Sequence, residues 1–239
     1  MHSQQAPRRG QVGLLILTVS AVLIGAIAIG AALQQSQAPV APSAAAAIKE
    51  SQAPETGLPL LGEPEAPIWL VEFSNFSCPG CAQYHATMKQ IVERHVSAGK
   101  VALVIAPMIF GEGEHPSYIA AQAALCAAKQ GKFWAMSEAL FAMHLARGGN
   151  SFTLTAVQQA AAELALDVEA LSACIRAQET SQTIFKALLL AEQVGLRYTP
   201  SLLYSRDGGK TWNWFTQANG ERYEAQVPLE VVDQLIAQR

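Results

Sequence analysis

Residues 68–81 read IWLVEFSNFSCPGC, and the fold of the chain turns on them. The first six, IWLVEF, are rich in branched and aromatic residues, the composition of a β-strand. They run into Cys78-Pro79-Gly80-Cys81, where Pro79 suits the first position of a helix. Residues 79–98 carry that helix, and residues 100–106 (KVALVIA) form a second strand, apolar enough throughout to be buried on both faces. Strand, helix and strand at this spacing predict a βαβ unit with a parallel pair.

Outward from this unit, residues 116–195 hold hardly any strand signal. They form a run of Ala- and Leu-rich helical segments broken at Gly131, at Gly148-Gly149-Asn150 and near Leu166-Asp167. Thr155 and Gln158 fit a capping box at one helix start. Residues 201–204 and 212–216 read as paired strands, and Pro228 opens an amphipathic final helix. The predicted class is therefore α/β, in the order βαβ, an all-helical insertion of about 80 residues, then ββα. Between the last two strands, SRDGGKTW (residues 205–212) has the spacing S-x-D-x-G-x-T-W of the Asp-box hairpin of sialidases and propellers. Asp207 would bond turn amides and the glycines supply positive φ, so the motif predicts a hairpin tip. A partner contact through Trp212 or Trp214 is the alternative role.

The other end of the chain is of a different kind. The 239 residues are 51% apolar and 15% charged, against a usual charged share of about 25%, and residues 10–48 carry no charge at all. Residues 12–33 (VGLLILTVSAVLIGAIAIGAAL) include only Thr18 and Ser20 as polar members, and as a helix would reach about 33 Å, enough to cross a hydrocarbon core. Arg8 and Arg9 precede the run and no basic residue follows until Lys49, which places residues 1–11 in the cytoplasm and the remainder outside. A cleaved signal peptide, with small residues at Gly30, Ala31 and Ala32, is the alternative, but its apolar region usually spans about 7 to 15 residues. Arg8-Arg9 also suits a twin-arginine signal, though its flanks fit poorly. Residues 34–62, rich in Gln, Ala, Pro and Ser, read as a flexible tether, and residues 63–239 as the folded domain. Beyond Arg9 the chain holds 14 basic and 19 acidic residues, so no basic face is available for nucleic acid.

Four cysteines carry the chemistry. Cys78 would sit at the amino terminus of the first helix, where free N–H groups and the dipole favour its thiolate. Cys81, one turn on and more buried, would resolve a mixed disulfide formed at Cys78. Half of a zinc site is the bland alternative, but a second pair at ligand spacing is missing, so no metal is predicted. A purely structural Cys78–Cys81 ring would remove little loop entropy. Cys126 and Cys174 lie in the helical block. Outside a membrane such cysteines most often pair, and a loop of that length stabilises by about 4 kcal/mol in the chain-entropy model. Two free thiols or a second redox pair are the alternatives, since four cysteines allow three pairings.

Three separated stretches, GEPEAPIWLVEFSNFSCPGC, HPSYIAAQAALCAAKQGKFWAMSEALF and GLRYTPSLL, together resemble the DsbA-like thiol:disulfide oxidoreductases, over about residues 62–239. The resemblance implies a thioredoxin fold with a helical insertion, and it implies that Pro200, preceded by Thr199, is a cis-proline facing the Cys78–Cys81 disulfide. It also implies that Glu72, six residues before Cys78, is a buried carboxylate that exchanges a proton with Cys81; an exposed or salt-bridged strand residue is the other reading. His85 and His95 are expected to decorate the first helix, His115 to precede a helix and His144 to lie on a helix face. Strong oxidases of the family often place His between the cysteines, where this chain has Gly80, so the direction of electron flow is left open. The expected activity is disulfide formation in reduced exported polypeptides at a bacterial cytoplasmic membrane. Its electron acceptor would be a quinone-linked membrane thiol oxidase of the DsbB-like or vitamin K epoxide reductase-like kind, with no separate cofactor. A reductase or isomerase, or a non-catalytic thioredoxin-like binding module, are the competing functions.

Overall fold

The computed structural model describes residues 48–238. The span expected at residues 12–33 lies outside them, and among the described residues no helix is long and apolar enough to cross a membrane.

Two largely apolar strands set the centre. β3 (Ile68–Ser74) and β4 (Val101–Pro107) are buried along their whole length and pair in parallel, Ile68 opposite Val101 through Ser74 opposite Pro107. Antiparallel neighbours flank them: β5 (Ser201–Ser205) and the short β6 (Asn213–Trp214) on one side, β2 (Pro59–Leu61) and β1 (Glu50–Gln52) on the other. The order across the sheet is β1-β2-β4-β3-β5-β6. Because strand side chains alternate, Leu70, Val101, Leu103 and Ile105 face one core while Trp69, Val71, Phe73, Ala102 and Val104 face another.

The first core lies under α1 (Pro79–Ile91), α7 (Leu229–Ala237) and most of the insertion. Alpha-helical geometry in α1 passes into a π-helical turn, Val92–Val96, before β4. The insertion comprises α2 (Pro116–Ala128), α3 (Phe133–Arg147), α4 (Leu154–Glu163), α5 (Val168–Arg176) and α6 (Ser181–Gln193). Only α6 serves the second core, through Ala187, Leu190 and Ala191. A disulfide joins Cys126 on α2 to Cys174 on α5.

Several local expectations shift. The stretch read as the end of a tether contains β1 and β2, so the folded part begins before residue 62; Leu58, Leu60 and Leu61 are fully buried against the edge of β4. Glu50 on β1 also reaches the start of α3, where its carboxylate accepts from the Phe133 and Trp134 amides at 2.7 and 3.0 Å. These are free donors of a helix amino terminus, and a carboxylate suits the dipole there. Thr153, not Thr155, caps α4 by accepting from Ala156 N–H at 3.2 Å. Phe152 is fully buried just before it, which leaves Thr153 as the last extended residue, and Gln158 is drawn instead to the Ser172 hydroxyl. Pro228 precedes the first helical residue of α7 by one. The last strand shrinks to two residues, Asn213 and Trp214, with the Trp214 indole donating to Val194 C=O and an isolated bridge between Thr216 and Arg222 beyond it.

The hairpin tip at residues 205–212 closes as its spacing predicts. The Asp207 carboxylate accepts from the Lys210 and Thr211 amides and from the Ser205 and Thr211 hydroxyls. Gly209 has φ +84°, and a Cβ there would lie 3.0 Å from the Trp69 ring and 3.2 Å from Trp212. Its work is structural, tucking the turn against the second core.

Candidate active site

Cys78 is the N-cap of α1, with extended backbone (φ −89°, ψ 122°), and Pro79 takes the first helical position. Proline fits there because its missing N–H would have had no helical partner. The Cys78 thiol is half-buried and the Cys81 thiol fully buried, and both are free. Cys78 Sγ lies 3.5 Å from the Thr199 carbonyl oxygen, and the Thr199–Pro200 peptide is cis. A Cβ on Gly80 would make ordinary contact, 3.4 Å from Pro200 Cδ and 3.8 Å from Cys78 Sγ, so the CPGC turn lies directly against the Pro200 loop. Cys78, Cys81, Thr199 and Pro200 therefore form one site, although Cys78 and Thr199 stand 121 positions apart in sequence.

The two thiols are driven apart in acidity. The Cys81 thiol, donating toward Cys78, is the largest influence holding Cys78 down to about 5; the Cys81 and Gly80 amides and Thr199 add to it, against the opposing effect of partial burial. Burial pushes Cys81 well above the usual thiol range, and its sulfur accepts from the Asn75 amide at 3.3 Å. An attacking or leaving thiolate thus sits at the surface and a protonated thiol beneath it.

Glu72 sits on the face of β3 that carries Leu70, between Ile105 and Leu202 on the neighbouring strands, which is the face covered by α1 and Cys81. It is 2% exposed and its Oε1 makes no hydrogen bond. Burial pushes the carboxyl up to about 7, with Ser74 pulling the other way. The exposed or ion-paired alternative therefore falls away: Glu72 is buried and has no basic partner among the described residues.

His115 and His144 take their expected places, before a helix and on a helix face, whereas His85 and His95 are buried instead of forming an exposed decoration of the first helix. His85 is buried in α1 between Trp134 and Phe141, with ring centroids 5.0 and 4.6 Å away and neither nitrogen bonded, and burial pushes it down to about 3. His95 is buried too, its Nε2 2.5 Å from Asp233 Oδ1. Helical periodicity could not reveal this, because α3 and α7 cover positions that a lone helix would expose. His115 caps α2, accepting from Ser117 N–H. His144 Nδ1 lies 2.7 Å from the Phe76 carbonyl, which can only accept, so Nδ1 carries the proton.

Further supports had no signal in the sequence, since each is a contact between distant segments. The Ser77 hydroxyl donates to Gly149 C=O at 2.7 Å, so the insertion grips the residue before Cys78. A Cβ on Gly149 would come within 2.5 Å of the Ser77 carbonyl oxygen, which requires glycine there. The Tyr84 hydroxyl donates to Val227 C=O at 2.9 Å and the Gln226 carboxamide to Gly80 C=O at 3.1 Å. Among the described residues no cluster of His, Cys, Asp and Glu has the arrangement of a metal site.

A βαβ–ββα sheet with a helical insertion, carrying a CxxC turn against a cis-proline loop, defines the thioredoxin-fold class. The family model described as Thioredoxin matches residues 55–207, and the chain belongs to that family. A thioredoxin-like oxidoreductase from Silicibacter pomeroyi DSS-3 is similar in structure at 28% identity and a TM-score of 0.57, over 76% of this chain and 94% of that one. Chlamydia trachomatis DsbA (19% identity, TM-score 0.61, 76% and 90% covered) and oxidised BdbD from Bacillus subtilis (18%, 0.60, 80% and 97%) share the fold. The likeness to DsbA-type proteins read from the three sequence stretches thus extends to the architecture, helical insertion included. Among curated proteins, the Na(+)/H(+) antiporter NhaA 1 of Mycolicibacterium gilvum is 35% identical over 81 residues, which is 34% of this chain and 13% of that protein.

Proposed function

We propose that the chain is a thiol:disulfide oxidoreductase, tethered to the outer face of a bacterial cytoplasmic membrane, that forms disulfides in exported polypeptides. The observation that carries this reading is the pairing of a half-buried Cys78 held down to about 5 with a buried, protonated Cys81. Stabilising the Cys78 thiolate stabilises the reduced pair, and a stabilised reduced pair makes the disulfide a stronger oxidant. That favours oxidation over reduction or isomerisation, even with no side chain at Gly80. The apolar run at residues 12–33 supports the tether, and the Cys126–Cys174 disulfide supports an oxidising compartment.

In the forward reaction a substrate thiolate attacks Cys78 Sγ of the Cys78–Cys81 disulfide, and Cys81 leaves with the bond's electron pair. Glu72, half-protonated near neutral pH, gives Cys81 its proton and takes it back when Cys81 later attacks. A second substrate thiolate then attacks the substrate sulfur of the mixed disulfide, which releases the Cys78 thiolate and leaves the substrate oxidised by two electrons. The substrate backbone would lie along Tyr198 and Thr199 as an added strand. Reoxidation passes the two electrons to a quinone-linked membrane thiol oxidase.

Equilibration with glutathione tests the direction. The expected potential lies well above the roughly −270 mV of thioredoxin, and a value near that figure overturns the oxidase reading. Cys78→Ser should abolish oxidation of a reduced test protein.

A further inference from the structure

The segment from Glu224 to Val227 is fixed across the site at three points. The Ser201 hydroxyl, next to Pro200, shares its proton between Tyr198 C=O at 2.9 Å and Glu224 C=O at 3.1 Å; the Tyr84 hydroxyl of α1 donates to Val227 C=O at 2.9 Å; and Val227 is fully buried. Gln226, held between these anchors, sends its carboxamide to the Gly80 carbonyl at 3.1 Å. The Gly80 carbonyl and the Cys81 N–H are the two ends of one peptide. As the second and third residues of α1, Gly80 and Cys81 have N–H groups with no partner in the helical ladder, next to the N-cap Cys78.

We propose that Gln226 is a positioning residue for disulfide exchange: by donating to the Gly80 carbonyl it polarises the Gly80–Cys81 peptide and strengthens the Cys81 N–H, a free donor of the helix's first turn beside Cys78. A hydrogen bond accepted at one end of an amide makes the other end a better donor, by roughly 10–30% per bond. The same Cys81 amide is among the groups that hold the Cys78 thiol acidic. A family oxidase commonly has a side chain between its cysteines; here Gly80 leaves that position bare, and the role passes to a residue 146 positions away in sequence. The inference rests on Cys78 being the exchanging thiol and not on the direction of exchange.

Gln226→Leu removes the donor at similar size, and Gln226→Glu replaces it with an acceptor beside an acceptor. Reduced wild-type and variant proteins are titrated by thiolate absorbance, and each is equilibrated with glutathione. The expected result for Gln226→Leu is a Cys78 acidity lowered about two- to fourfold. The disulfide becomes less oxidising by the same factor, which is about 9–18 mV for a two-electron couple. Gln226→Glu should shift both further in the same direction, with thermal melting unchanged. Variants that titrate and equilibrate like the wild type, or that shift the other way, overturn the proposal. A strongly reducing wild type combined with a shifted Gln226→Leu would instead sink the oxidase reading while upholding the role of Gln226.

Discussion

Glu72→Gln separates what the buried carboxyl does for stability from what it does for turnover. In the unfolded chain Glu72 titrates near its ordinary 4.5, whereas in the fold burial pushes it up to about 7. Between those values the folded state holds the proton that the unfolded state has lost, so stability falls as pH rises through this window and levels off above it. At roughly 1.4 kcal/mol per pH unit, the loss amounts to about 3 kcal/mol between pH 4 and pH 8.5. Gln is neutral throughout and keeps the size, so the variant escapes that loss. The fixed cost of burying an amide cancels when the two pH values are compared. Urea or thermal unfolding of both proteins at pH 4 and 8.5 reads the effect: the variant should gain about 3 kcal/mol on the wild type, or about 6–12 °C in melting temperature for a domain of this size. Turnover should fall at least tenfold, because Cys81 loses its proton donor and acceptor. An advantage equal at both pH values would show that Glu72 titrates normally in the fold, and both the buried-acid account and its proton role would fail.

Two further outcomes are expected. Replacing Cys126 and Cys174 together by alanine should lower stability by about 4 kcal/mol, the entropy of a 48-residue loop, while sparing glutathione equilibration; lost exchange with unchanged melting would make this a second redox pair. Gly149→Ala should displace the Ser77 turn and slow exchange severalfold, since its Cβ would stand 2.5 Å from a backbone oxygen with no rotamer to escape into; wild-type rates would show that this clasp does not hold Cys78.

How much was legible depended on whether the information was local. The branched and aromatic run at 68–73 marks a strand, the apolar run at 100–106 marks a strand buried on both faces, and Cys-Pro-Gly-Cys marks a helix start, so the central unit and its thiols could be read directly. Pro200 was legible only through resemblance, because nothing in Thr199-Pro200 itself distinguishes a cis bond from the commoner trans one. β1 and β2 hid inside a Pro- and Gln-rich stretch, being three residues each, with β2 owing its burial to the edge of β4 and β1 its pairing to β2. Gln226, Gly149 and the burial of His85 are long-range contacts between segments with no shared pattern. The first turn of a helix, by contrast, announces its own chemistry.

The placement of β1 and β2 also bears on how this domain can be handled in isolation. β2 covers one edge of β4, a strand apolar on both faces, and β1 pairs with β2 in turn and carries the carboxylate that caps α3. A fragment begun at residue 63 would bare the edge of β4 at Leu103 and Val104, with open backbone donors and acceptors, the template on which sheets of different molecules join. The segment before Gly62 thus doubles as a guard against self-association, and a well-behaved piece of this protein starts no later than Lys49.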